Sequence, residues 1–182
     1  MHEHLDGNLT MAGPENPGSH PIPAVPAPGE RAESRHILVP IDFSDESAVA
    51  VDHAVRIALM TSRYITLLHV VEVRTSEINP TGLVGIERIL ANLDEVARQA
   101  RERLQSAAAR PRERGVKCSV SVRMGIPYKE ILDEVETTSP DLVVVGHKGA
   151  SRLARFLLGT TAERVVRYAT CSVLVSRGEW KE

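Results

Sequence analysis

Residues 146–161 read GHKGASRLARFLLGTT and follow the apolar run LVVV at 142–145. The run stops abruptly at Gly146, and Gly149 and Gly159 come after it, in the spacing G-x2-G-x9-G-[ST]. Glycine permits positive φ and lets a ligand approach the backbone closely, which side chains resist. Thr160 opens TTAE, the [ST]-x-x-[DE] pattern of a helix start, where N–H groups and the positive end of the helix dipole are exposed. A buried strand, a glycine turn and a helix start in succession predict an α/β fold with a phosphate-binding turn at a strand end. Taken singly, Gly146 only ends a strand and Thr160 only caps a helix. The combined spacing selects the phosphate reading.

Composition narrows the class. The 182 residues suffice for one domain with a sizeable core. Hydrophobic residues make up 42% and charged residues 25%, the balance of a globular protein. A formal net charge of -2 argues against a dedicated nucleic-acid or anionic-membrane surface. No run approaches the ~18–20 apolar residues of a membrane span, and the first residues carry no basic-then-apolar secretory pattern. Cys118 and Cys171 lie far apart without metal-ligand spacing, so both are expected as reduced, packed thiols in a cytoplasmic protein.

Residues 1–35 hold six of the eleven prolines and no aromatic residue. Such a stretch buries too little surface to offset chain entropy and is expected to be a disordered tail. Its His2, His4 and His20 do not form the helical H-E-x-x-H metal motif. HILVPI at 36–41 predicts a strand buried on both faces, ending near Pro40 because proline breaks a central ladder. Asp42 falls just beyond it. Ser44 is an expected N-cap, with Asp45 and Glu46 complementing the dipole, and Ala48, Val51, Val55, Ala58 and Leu59 recur at helical spacing. A helix over about 44–61 follows.

YITLLHVVEV at 64–73 predicts the second strand, with His69 a packed strand residue. Asn79-Pro80 and Gly82 predict a loop over 74–85, a flap near the ligand. Ile86, Ile89, Leu90, Leu93, Val96, Ala97, Ala100 and Leu104 mark one face of a long helix, ended by Pro111 and Gly115. Residues 116–124 alternate as an edge strand. Pro127 suits the first turn of a helix carrying Ile131, Leu132 and Val135. Residues 141–145 form the fourth strand, and a helix from Thr160 is expected to bury Ala162, Val165, Val166 and Ala169. Residues 172–176 (SVLVS) form the last strand. This alternation predicts a parallel sheet with helices on both faces.

The G-x2-G-x9-G-[ST] spacing with AERVVRYATCSVLVSR after it, and ILVPIDFSDES from Ile37, resemble the nucleotide-binding signature and opening strand of the universal stress protein family. The resemblance covers about residues 36–177, leaving 1–35 and 178–182 as tails. It implies a five-stranded Rossmann-like sheet of the adenine nucleotide alpha hydrolase-like type, in strand order 3-2-1-4-5. In that order the first and fourth strands are neighbours where the order reverses, so Asp42 and Gly146 would meet at a switch-point crevice.

The resemblance further implies ATP as ligand, held by Pro40, Ile41, Asp42, Val70, Gly125, Val145, Gly146, Lys148, Gly149, Gly159, Thr160 and Thr161. Pro40, Ile41 and Val70 would flank adenine. Asp42 would serve ribose or a Mg²⁺ on the phosphates, since Mg²⁺ commonly takes one carboxylate plus phosphate oxygens. Ala162 offers no hydroxyl where some relatives carry Ser or Thr. No positioned base is nominated for hydrolysis, so no catalytic residue is assigned. The expected function is ATP binding in a stress-response protein, nucleotide acting as a conformational or assembly ligand. The alternatives are a nucleotide-independent dimeric interaction module and a slow ATPase or autophosphorylating protein. A homodimer through strand 172–176 is implied, with neither nucleic acid nor membrane as partner.

Deleting residues 1–33 is expected to leave melting temperature and nucleotide affinity nearly unchanged, since a segment without hydrophobic pattern adds no core. Differential scanning calorimetry of the truncated chain checks this, and a large loss of stability refutes it.

Overall fold

The computed structural model describes residues 36–72, 83–147 and 158–178, with the side chains of 83–92 left aside. Among the described residues five strands and four helices alternate: β1 (His36–Pro40), α1 (Asp45–Thr61), β2 (Tyr64–Glu72), α2 (Leu83–Glu113), β3 (Cys118–Gly125), α3 (Pro127–Thr138), β4 (Leu142–Gly146), α4 (Thr160–Tyr168) and β5 (Ser172–Ser176). All strand pairs are parallel, in the expected order β3-β2-β1-β4-β5. The register sets His36 against Tyr64 and Pro40 against Leu68, and Ile37 against Leu142. The C-terminal ends of the neighbouring strands β1 and β4 therefore reach one edge of the sheet.

Alternation along the strands divides the core between two faces. Ile37, Val39, Ile65 and Leu67 pack with Val51, Ala54, Val55 and Ala58 of α1 and Leu104 and Ala108 of α2. Leu38, Leu68, Val143 and Val145 face Ile131 and Val135 of α3 and Ala162 and Val165 of α4. Each fully buried aliphatic side chain stabilises the fold by about 1.5–3 kcal/mol relative to exposure.

Local chemistry ends the elements where it should. Ser44 caps α1 by accepting the Ser47 N–H at 3.2 Å. α2 closes on Gly115 at φ 83, with Gly115 N–H donating to the Arg112 carbonyl and Val116 N–H to that of Pro111. This paired bonding satisfies the last carbonyls of a helix and needs a left-handed residue, which glycine adopts without strain. Pro111 lies inside the last turns of α2 rather than beyond them. α2 also begins earlier than expected, at Leu83, so Gly85 is helical; the rest of the expected flap, 74–82, the expected tail 1–35 and, apart from Gly178, the expected tail 178–182 lie outside the described residues.

Several expected core positions are on the surface instead. Leu59, Val96 and Val166 are 44–46% exposed, and Ala48 is exposed as well. Consecutive helical residues point about 100° apart, so a flat sheet receives Ala58 or Leu59, and Val165 or Val166, but not both. Cys118 opens β3, and Cys171 directly precedes β5. Both are half-buried thiols outside any disulfide.

His36 begins β1 at the edge opposite the glycine turn, and is 1% exposed. Its Nε2 lies 2.8 Å from the Thr66 hydroxyl, itself 2.8 Å from that of Ser119. The ring stacks on Tyr64 at 4.5 Å, and the backbone N–H donates to Asp141, which also takes Arg63. Burial pushes the imidazole pKa below its ordinary value, against the opposing pull of Glu134, Asp141 and the Thr138 backbone. A depressed folded-state pKa contributes stability that is present above the unfolded value of about 6.5 and lost as pH falls through the folded one. Unfolding free energy from urea titration should thus decline from pH 7 to 5, and His36→Gln should flatten that decline. An identical slope in the variant would remove His36 as its source.

Candidate functional site

The C-terminal edge of the sheet is assembled by backbone bonds between strand ends. After β1, the Ile41 N–H donates to the Leu68 carbonyl at 2.8 Å, so the ladder to β2 extends one residue past Pro40. The Ile41 carbonyl lies 2.8 Å from His69 Nδ1. A carbonyl only accepts, so His69 carries a proton on Nδ1. Asp42 follows and is exposed. Its Oδ1 accepts the Ser44 N–H at 3.1 Å and the Ser44 hydroxyl. The same hydroxyl oxygen receives the Ser47 N–H, so one serine caps α1 and orients the carboxylate.

Phe43, between them, has φ 64. A bulky residue there is a backbone outlier, at a cost of order 1–3 kcal/mol that surrounding contacts must offset. The Arg103 guanidinium of α2 lies 3.8 Å from the Phe43 ring centroid, and the His69 ring 4.5 Å away.

On the β4 side, His147 N–H donates to the Ser176 carbonyl at 2.9 Å, extending the ladder to β5. The His147 carbonyl then accepts the Gly159 N–H at 2.8 Å. The chain thus leaves the sheet at His147 and returns beside it at Gly159, joining the glycine turn to the start of α4. Here the expected capping box is displaced. Gly159 is the N-cap, with no side-chain cap bond, and Thr160 is the first helical residue, exposed to solvent. The helix starts at Thr160 as expected, but with Gly159, held by His147, in the N-cap place instead of a threonine side chain. Its first internal bond runs from Glu163 N–H to the Gly159 carbonyl, leaving the N–H groups of Thr160, Thr161 and Ala162 as the donors a helix start directs outward.

The expected site residues divide by what they can offer. Pro40 and Val70 are half-buried at the ends of β1 and β2. Ile41 and Val145 are 7% and 4% exposed, with side chains in the two core clusters, so their backbones alone are available. Gly125 ends β3 with φ 148, and a Cβ there would stand 2.5 Å from Glu130 Oε1. Gly146, Gly159, Thr160 and Thr161 come together through the His147 bond. Lys148 and Gly149 lie outside the described residues.

Among the described residues no group of three His, Cys, Asp or Glu side chains is placed to hold a metal ion. Asp42 fits Mg²⁺ only in the arrangement where phosphate oxygens complete the shell. No described helix is long and apolar enough to cross a membrane. A cleft between α1 and α2, lined by Phe43, Ser47, Val51, Ser106 and Arg110, shares only Ile41 with the expected site. Sequence reading missed Phe43 and Arg103. Positive φ at a phenylalanine has no composition signal, and Arg103 is one charge among many on the solvent face of α2.

Comparison with known proteins follows this geometry. A sequence model of the universal stress protein family matches residues 33–177. The chain is 34% identical over 154 residues to the universal stress protein MJ0531 of Methanocaldococcus jannaschii, covering 81% of this chain and 85% of that protein. It is 34% identical over 146 residues to the universal stress protein YxiE of Bacillus subtilis, covering 78% and 97%. The solved structure of protein MJ0577, also of M. jannaschii, superposes with TM-score 0.68 at 25% identity, over 81% of this chain and 99% of that one. A universal stress protein solved in complex with cAMP has the same fold, with TM-score 0.54 at 24% identity over 78% and 95%.

Proposed function

This chain belongs to the universal stress protein family, and from that premise we propose that it binds ATP at the C-terminal edge of its sheet, as a conformational or assembly ligand in stress response. The observation that carries the reading is the Gly159 N–H to His147 carbonyl bond, which sets the uncapped start of α4 beside the end of β4. Helix-start N–H groups and the dipole favour phosphate oxygens. Asp42 follows the neighbouring strand, in a position suited to ribose or to Mg²⁺ on the phosphates. Pro40 and Val70 supply apolar surface for adenine, and the backbones of Ile41, Gly125, Val145 and Gly146 border the crevice. Lys148 and Gly149 belong to the same turn by sequence. A family structure in complex with cAMP supports an adenine nucleotide as the ligand class. The protein is proposed to act in the cytoplasm, and Asp42 already has a binding role, so hydrolysis is not assigned.

ATP with Mg²⁺ should raise the melting temperature, because a ligand of the native state alone stabilises by about 2.7 kcal/mol at a hundredfold excess over Kd. Gly159 has φ -62, open to any L-residue, so Gly159→Val should fold normally and lose the shift by crowding the phosphates. Asp42→Ala should weaken binding more with Mg²⁺ than with EDTA. Thermal shift at millimolar ATP reads all three, and no shift in the wild type would end the ATP reading.

We further propose a homodimer through β5. The strand lies at the sheet edge, and an uncovered edge presents unpaired backbone groups. The Ser176 carbonyl faces β4. By alternation Ser172 and Leu174 also address β4, and Val173 and Val175 direct their N–H and C=O groups outward. Pairing that edge with its copy about a two-fold axis closes the assembly. Val175→Pro removes an outward N–H without touching the β4 ladder and should give a folded monomer in sedimentation velocity. A wild type that sediments as a monomer at micromolar concentration would refute the dimer.

A further inference from the structure

Three non-glycine residues have positive φ among the described residues, and two of them, Ser62 and Ser139, are the C-caps of α1 and α3. Left-handed caps are ordinary helix ends. Phe43 is different in kind: an aromatic residue mid-turn, directly after Asp42. Non-glycine residues persist in that region only where their surroundings over-determine them, and they concentrate at ligand clamps.

The surroundings of Phe43 come from three elements. Ser44, the α1 N-cap, bonds back to Asp42 through both its N–H and its hydroxyl. His69 of β2 holds the Ile41 carbonyl and sets its ring against Phe43, tilted by 42°. The opposing contact is the Arg103 guanidinium from α2. A cation over an aromatic face is held by the ring's quadrupole, and arginine makes this contact most often. Arg103 is remote in sequence from every glycine of the turn, yet it is tied to the residue that follows Asp42.

We propose that Arg103 is a positioning residue of the nucleotide site: its guanidinium holds the Phe43 ring, and through it the left-handed turn that presents the Asp42 carboxylate. The inference rests on the nucleotide reading above. Without the cation, Phe43 relaxes toward negative φ, the Ser44–Asp42 bonds loosen, and the carboxylate loses its fixed place. α2 is thereby coupled to the site through a side chain that touches no nucleotide.

The test uses the full chain as wild type, Arg103→Gln, Arg103→Lys, Phe43→Leu and the Phe43→Leu/Arg103→Gln double variant. Calorimetric titration with Mg²⁺–ATP, melting temperature without ligand, and the amide NMR shifts of Asp42, Phe43 and Ser44 are measured for each. Arg103→Gln should weaken ATP binding about two- to fivefold, move those three amide signals and leave the melting temperature nearly unchanged. Arg103→Lys should recover most of the affinity, and the double variant should bind no worse than Phe43→Leu alone. Wild-type affinity in Arg103→Gln, or losses that simply add in the double variant, would overturn the role of Arg103 while leaving ATP binding intact. A wild type that binds no adenine nucleotide is a separate result and removes both readings together.

Discussion

The bond from Gly159 N–H to the His147 carbonyl joins β4 to α4 at the C-terminal edge of the sheet. It ties the end of β4 to the N-cap of α4. It also decides where α4 begins, because a residue already bonded to the strand end becomes the N-cap and Thr160 becomes helical. Without a side-chain cap, the first N–H groups of α4 keep their donors for a ligand.

That edge is possible because the sheet is parallel and reverses its order between β1 and β4. Helices α1 and α2 cover one face and α3 and α4 the other, so successive connections depart from β1 and β4 in opposite directions. In open α/β sheets ligands bind where connections part in this way. The two cores do not meet through the sheet, yet alternating residues of each strand serve both. Leu38 and Val39, adjacent in β1, belong to opposite clusters. Stability is spread along the strands.

The two ends of the sheet are treated differently. At the N-terminal end, His36, Thr66 and Ser119 form a polar chain across β1, β2 and β3, and Asp141 ties β1 to Arg63. Buried polar groups of this kind are tolerable because they are bonded to one another. At the C-terminal end strain is accepted instead, at Phe43, next to an exposed carboxylate. Packing from β2 and α2 offsets that strain.

Much was legible in the chain itself. Apolar runs of strand length separated by helical periodicity determine the β-α alternation, and Pro40, Ser44, Gly115 and Pro127 mark boundaries close to those observed. The reason is local: proline lacks an N–H, serine caps a helix, and glycine adopts positive φ. The glycine spacing likewise pointed to the family. Which of two adjacent apolar residues enters the core was not legible, because Val165 and Val166 differ only in direction toward a sheet made by distant segments. Nor were the N-cap at Gly159 or the contacts on Phe43. Those depend on His147 meeting Gly159 and on Arg103 and His69 reaching Phe43, and only the tertiary structure brings such remote groups within bonding distance.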